Sequence, residues 1–381
     1  MLLLAGVAVM FVRPRGLPLW AGPVGCALVG FLVTVIDWDE VTSALGPLRD
    51  PLLFVAFAVP LAAALEAIGV FGAIAASFDG GRHLAAWLWL LAAGVVIVFN
   101  LDAAVVLLTP LYIRIARRHG LSAEALAFQP ALLASLASSV LPVSNLTNLV
   151  VAEQFDLRVG DFLREMTLPT LAACAVGYAA YRATFRSGPP GERVDDPVDR
   201  AALARGLPII AFVLVGFTVG DAVGIPAWVV AAIAAVSASF VARTLPWRSI
   251  PLPAVAVAAG LAVLVGSAVS HLGLERIFER SGTAGDLGVV AFGVVASNLT
   301  NNLPAVLAGS QSMVDATQAW PLLIGVNLGP ALVLTASLSS LLWRDTARAM
   351  GVEVSVRRFS AVGFRVGLPA IVVGAVLVCV V

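Results

Sequence analysis

The chain has 381 residues, with 23 basic and 23 acidic side chains and a formal net charge of zero. Charged residues make up 12% and hydrophobic residues 60% of it, against about 25% and about 45–50% in average soluble domains. Such a chain is neither disordered nor a basic nucleic-acid binder, and one soluble core could not bury so much apolar surface.

What remains is a polytopic membrane protein. At about 20 residues per spanning helix, the length accommodates roughly ten to a dozen spans with short loops. Every basic residue is Arg. Cys26, Cys174 and Cys379 lie far apart and form no CxxC pair, zinc site or disulfide framework, so neither a metal nor a cofactor is expected. HExxH and GxSxG motifs are absent, and His83, His119 and His271 fall at span ends, so a membrane enzyme is not expected.

Basic loops stay cytoplasmic, and this orients the spans. Residues 1–12 form a short first span without a leading basic region, ending inside at Arg13 and Arg15. The second, 17–36, goes out to the acidic stretch Asp37 to Asp50. The third, 51–77, returns to Arg82 and His83. The apolar stretch 84–118 is interrupted at Phe99-Asn100-Leu101-Asp102 and carries arginine at both ends. Each arm has about 16 residues, short for a full span. A re-entrant hairpin with its tip at 100–104 fits both facts. The stretch 121–152 then crosses outward, broken at 142–148, and 162–181 returns inside.

Residues 185–202 are a polar, Pro/Gly-containing connection and read as a cytoplasmic linker between a first repeat, 1–184, and a second, 203–381. The second half has spans near 203–220, 227–242 and 252–271. A hairpin over 286–315 enters from the acidic side, a broken span covers 319–342, and a last span covers 360–381. The fold class is therefore all-α and polytopic: two inverted-topology repeats, each with five spans, one re-entrant hairpin and discontinuous helices. An odd number of crossings inverts the second copy, the plan of many secondary transporters.

Four polar interruptions fall at membrane depth: 99–104, 142–148, 297–304 and 327–330. A broken helix in hydrocarbon leaves backbone groups unpaired unless protein or a water-filled cavity satisfies them. Neutral Asn, Ser and Thr side chains supply donors and acceptors for that purpose. The candidate substrate-contacting residues are Asn100, Ser144, Asn145, Thr147, Asn148, Ser297, Asn298, Thr300, Asn301, Asn302 and Asn327. The string Ser-Asn-Leu-Thr-Asn occurs twice, at 144–148 and 297–301. Asp102 stands at a hairpin tip inside the bilayer, where a carboxylate has to be paired, protonated or functional, and it is the candidate proton carrier. Glu66, mid-span, is the second candidate for proton or cation coupling.

The order Asp102-Ala103-Ala104-Val105-Val106-Leu107-Leu108-Thr109-Pro110, then Val143 to Val150, then Asn301-Asn302-Leu303-Pro304 resembles the arsenite/antimonite efflux permeases. Asn327-Leu328-Gly329-Pro330 followed by Ala336-Ser337-Leu338-Ser339-Ser340 extends the likeness and adds Ser337 to the candidate site. The resemblance runs along nearly the whole chain. It implies proton-coupled export of arsenite or antimonite by alternating access, in the cytoplasmic (inner) membrane. It also implies a cytoplasmic ATPase subunit in some relatives and, by analogy with the superfamily, a homodimer. Sodium/proton antiport and sodium-coupled carriage of an organic anion are the alternatives on the same fold. The family often has acidic residues where Ser135 and Asn327 stand here.

Overall fold

The computed structural model describes residues 1–12, 14–77, 83–185, 198–246, 249–271 and 273–380. Arg13, Arg82 and most of the expected linker, 186–197, lie outside the described residues. The described chain is all-helical.

The first half opens with α1 (Leu2–Val12) and α2 (Ala21–Leu32). A short helix, α3 (Trp38–Leu45), follows. Asp37 caps it by accepting from the Glu40 N–H at 2.7 Å, and Glu40 accepts from the Asp37 N–H at 3.0 Å. Next come α4 (Arg49–Ile68) and α5 (Val70–Ala76). The first hairpin is α6 (Leu84–Phe99) and α7 (Leu101–Arg118). The first crossover is α8 (Ala123–Leu136) and α9 (Leu146–Phe155), and α10 (Val159–Thr184) closes the half.

The second half begins with α11 (Arg200–Ala222), α12 (Ala227–Ala242), α13 (Leu252–Ala268) and the one-turn α14 (Glu275–Phe278). Its hairpin is α15 (Gly282–Thr300) and α16 (Asn302–Ser312). Its crossover is α17 (Ala319–Leu328) and α18 (Leu338–Ala349), followed by α19 (Val356–Val380).

From the hairpins onward the two halves present the same order of elements, and local geometry matches where the helices break. Asn100 and Asn301 sit at the hairpin turns with φ of 106° and 114° and ψ of 145° and 154°, a region otherwise kept for glycine that costs a residue with a Cβ about 1–3 kcal/mol. Each side-chain carbonyl accepts from the N–H two residues on: Asp102 at 2.8 Å and Leu303 at 3.3 Å. The crossovers match too. Pro142–Ser144 and Leu334–Ala336 form single 3-10 turns, each followed by an extended residue that caps the next half-helix. Those caps are Asn145 (φ −149°) and Ser337 (φ −144°). The final helices pack antiparallel: a Cβ on Gly177 would lie 3.9 Å from Ala370, and one on Gly374 would lie 3.8 Å from Ala173. Two equivalent helices running in opposite directions are what an inverted repeat requires.

Lipid tails offer helices no hydrophobic drive to associate, so close packing through small residues takes its place. At Gly363 a Cβ would lie 2.2 Å from the Ala331 carbonyl, which brings α19 directly against the second crossover.

Three boundaries differ from the sequence expectation. The span read over 51–77 is split at Gly69, whose φ of 85° ends α4 in a left-handed cap. The fourth break is longer than 327–330: α17 runs through Leu328, regular helix resumes only at Leu338, and α18 continues to Ala349. The repeated Ser-Asn-Leu-Thr-Asn string does not mark equivalent places. At 144–148 it restarts a crossover helix, whereas at 297–301 it ends a hairpin arm. Identical side chains serve different backbone needs there, because capping depends on where the helix stops.

Candidate functional site

The four breaks converge. Asn301 and Asn302, at the second hairpin turn, line a cavity of about 50 Å³ together with Asp102, Asn145, Thr147 and Ser339. The opposing wall is apolar, with Leu52 and Val55 from α4 and Val255 and Ala258 from α13. A water needs about 10–15 Å³ on this measure, so the cavity suits a solute of a few heavy atoms. Asp102 is the sole ionisable side chain on this lining among the described residues. The Ser339 hydroxyl donates to its carboxylate, joining the first hairpin to the second crossover.

Beside the cavity the two crossovers are fastened through Asn327. Its Oδ1 accepts from Thr147 Oγ1 at 2.6 Å and from Asn145 Nδ2 at 3.0 Å. Its Nδ2 donates to Asn148 Oδ1 at 2.7 Å and Ser139 Oγ at 3.1 Å. All five residues are buried. Asn148 is held in turn, donating to the Ser138 and Leu141 carbonyls at 2.8 and 2.9 Å. An unpaired buried amide costs about 1–3 kcal/mol, and this network satisfies every polar atom of the Asn327 side chain.

The sequence candidates therefore separate. Asp102, Asn145, Thr147, Asn301 and Asn302 meet at the cavity. Asn327 and Asn148 spend their side chains on the protein and position that lining. Ser144 donates to the Ile97 carbonyl at 2.7 Å, pinning the first crossover to α6. Asn298 donates to Gly329 O at 2.9 Å and ties α15 to the fourth break, in the second crossover. Ser297 and Thr300 bond back to carbonyls of their own helix, and Ser337 caps α18 by accepting from Ser340 N at 3.1 Å. Asn100 holds the hairpin turn through its carbonyl, while its buried Nδ2 has no partner.

Glu66 is not brought to the site. It lies in the last turn of α4, does not line the cavity, and pairs with Arg114 at 3.4 Å. The Arg114 side chain is 58% exposed, and such pairs contribute about 0–1 kcal/mol. Glu66→Gln is accordingly expected to lower stability by at most about 1 kcal/mol, read from the unfolding temperature in detergent. A much larger drop would show that the Arg114 pair holds α4 and α7 together.

Ser339, which lines the cavity, and Ser138 and Ser139, which bond Asn145 and Asn327, were not among the sequence candidates. The signal was present as paired serines flanking the polar breaks, at 138–139 and 339–340, but serine also packs ordinary membrane helices.

The two ends of the bundle differ in charge. A wider recess of about 330 Å³ opens at the end carrying Asp50, Glu153, Asp156 and Arg158, and reaches inward to Pro142 and Val143. At the other end, Arg358 pairs with Glu124 at 2.6 Å and Arg117 donates to the Met350 carbonyl at 2.5 Å.

Paired hairpins and broken helices around a small polar cavity define a multi-pass membrane transporter. Residues 2–342 match the family described as Citrate transporter, and the chain belongs to that family. Among curated relatives, the arsenical pump membrane protein of Escherichia coli (strain K12) is 28% identical over 329 residues, covering 77% of this chain and 76% of its own. The arsenical pump membrane protein of Yersinia enterocolitica is 26% identical over 408 aligned positions, covering 95% and 93%. The fold is shared with the crystal structure of the Alcanivorax borkumensis YdaH transporter, at a TM-score of 0.62 and 14% identity over 90% of this chain and 89% of that one.

Proposed function

We propose that the chain exports arsenite or antimonite across the cytoplasmic (inner) membrane in exchange for protons, by alternating access. The observation that carries this reading is the polar part of the cavity lining: one carboxylate with three amides and two hydroxyls, set in an otherwise apolar wall. Arsenite near neutral pH is mostly an uncharged trihydroxide with four heavy atoms. Its hydroxyls can donate to and accept from Asn145, Thr147, Asn301, Asn302 and Ser339, while Asp102 exchanges the proton. The cysteines lie outside the cavity, so no thiolate ligates the metalloid in this reading. The names carried by the relatives agree with the same substrate.

Residues 1–184 and 203–381 act in this reading as inverted repeats joined by a cytoplasmic segment, with the arginine-rich end inside. A cytoplasmic ATPase subunit would dock at that end, and a second copy would pair within the bilayer.

A second reading, carriage of an organic anion with sodium or protons, takes its support from the family description. Against it, the cavity lining holds no arginine or histidine among the described residues to neutralise a multivalent anion. Arsenite uptake into everted vesicles decides between the two, with an imposed proton gradient and with or without sodium. Proton-driven, sodium-independent accumulation is the expected result. Sodium-dependent citrate uptake without arsenite movement would replace the arsenical reading by the second.

A further inference from the structure

The cavity lies between equivalent pieces of the two halves. The hairpin turns at Asn100 and Asn301 share backbone conformation and the same side-chain cap. Counting from them pairs Leu101 with Asn302 and Asp102 with Leu303. Counting from the crossover caps Asn145 and Ser337 pairs Leu146 with Leu338 and Thr147 with Ser339. Each of these four pairs contributes both members to the lining. The caps Asn145 and Asn301 line it without their counterparts Ser337 and Asn100, so the site draws on both halves without full symmetry, and a group in one half has a definable mate in the other.

In three of the pairs both members are neutral. The fourth sets the carboxylate of Asp102 against the isobutyl group of Leu303, and no other ionisable side chain lines the cavity among the described residues. We infer that the carrier exchanges one proton for each solute molecule, and that Leu303 is the residue that keeps the count at one. This rests on the reading that Asp102 carries the proton in arsenite export. Glu66 does not raise the count, because it lies off the cavity and is paired with Arg114.

The balance is simple. The Asp102 carboxylate takes one proton from the outer solution and releases it to the cytoplasm. One uncharged arsenite trihydroxide leaves, with no bond to arsenic made or broken. Each cycle thus moves one positive charge inward, so transport is electrogenic.

The test uses the full-length protein in sodium-free proteoliposomes, with the membrane potential held at zero by potassium and valinomycin. Preset arsenite ratios are opposed to a pH difference of about one unit, and the ratio at which net flux reverses is read after subtracting protein-free liposomes. One proton per solute places the reversal at about a tenfold arsenite ratio, and two protons at about a hundredfold ratio. This reading is independent of protein orientation. Reversal near tenfold is the expected result, and reversal near a hundredfold overturns the single-proton count while leaving arsenite export intact. Arsenite flux that ignores the pH difference overturns proton coupling and the count together. No protein-dependent arsenite flux at all overturns the export reading itself. Leu303→Asp supplies the missing mate and, where it folds, should move the reversal from about tenfold toward about a hundredfold.

Discussion

Asp102→Asn is expected to abolish proton-driven arsenite accumulation, bringing everted vesicles to the level of those lacking the protein. The substitution keeps the shape of the side chain and an oxygen that can still accept from the Ser339 hydroxyl, so the tie between the first hairpin and the second crossover survives. What it removes is the ability to gain and lose a proton. Stability should change by no more than about 1 kcal/mol, the worth of a weakened hydrogen bond. Downhill arsenite exchange, which requires no net proton movement, should persist. An Asp102→Asn protein that still concentrates arsenite against its gradient would show that the coupling proton travels elsewhere. Glu66→Gln is the matched control, since it removes a carboxylate from the same half but not from the cavity.

The second large effect is expected at Asn327. Truncation to alanine deletes four buried hydrogen bonds and takes their partner from Asn148 Oδ1 and Thr147 Oγ1, while Asn145 Nδ2 keeps its 3.4 Å bond to Ser138 Oγ. Measured interhelical hydrogen bonds in membranes average about 0.6 kcal/mol, so the four together give a loss of about 2–3 kcal/mol. The loss should appear as a lower unfolding temperature in detergent and as weakened arsenite transport, because Asn145 and Thr147 are placed by the same Oδ1. Unchanged thermal stability in Asn327→Ala would mean that the crossovers are held together by packing alone.

Asn327 also shows where sequence and structure part. Its presence in a polar break marked it as a candidate contact for the solute, but its amide is fully occupied by protein groups. Sequence spacing cannot distinguish an asparagine that faces a cavity from one that faces another asparagine nearly 200 positions away. Glu66 lies off the cavity for a related reason: the left-handed cap at Gly69 ends α4 three residues later and leaves Glu66 within reach of Arg114. The helices themselves were legible, because unbroken apolar runs in a chain this poor in charge have few alternatives to spanning. So were the hairpin turns, since Asn100-Leu101-Asp102 and Asn301-Asn302 stand out against the surrounding residues. The equivalence of the halves was legible in element order but not in residue strings: Asn145 corresponds to Ser337 and Asp102 to Leu303, pairs sharing backbone position rather than chemistry. The extent of the last break escaped because Leu332, Val333 and Leu334 look like continuing helix and are held open by their neighbours.

The bond pattern around Asn327 has a mechanical meaning. Its partners stand on the first crossover, and its own backbone belongs to the second. Any motion that admitted a solute by parting these two segments would expose five interlocked polar side chains on every turnover, with no charge present to recruit replacement partners. The crossing point therefore behaves as a rivet rather than a hinge. In the proposed alternating-access cycle the gates swing around it, and a covalent staple across the two crossovers should leave turnover running.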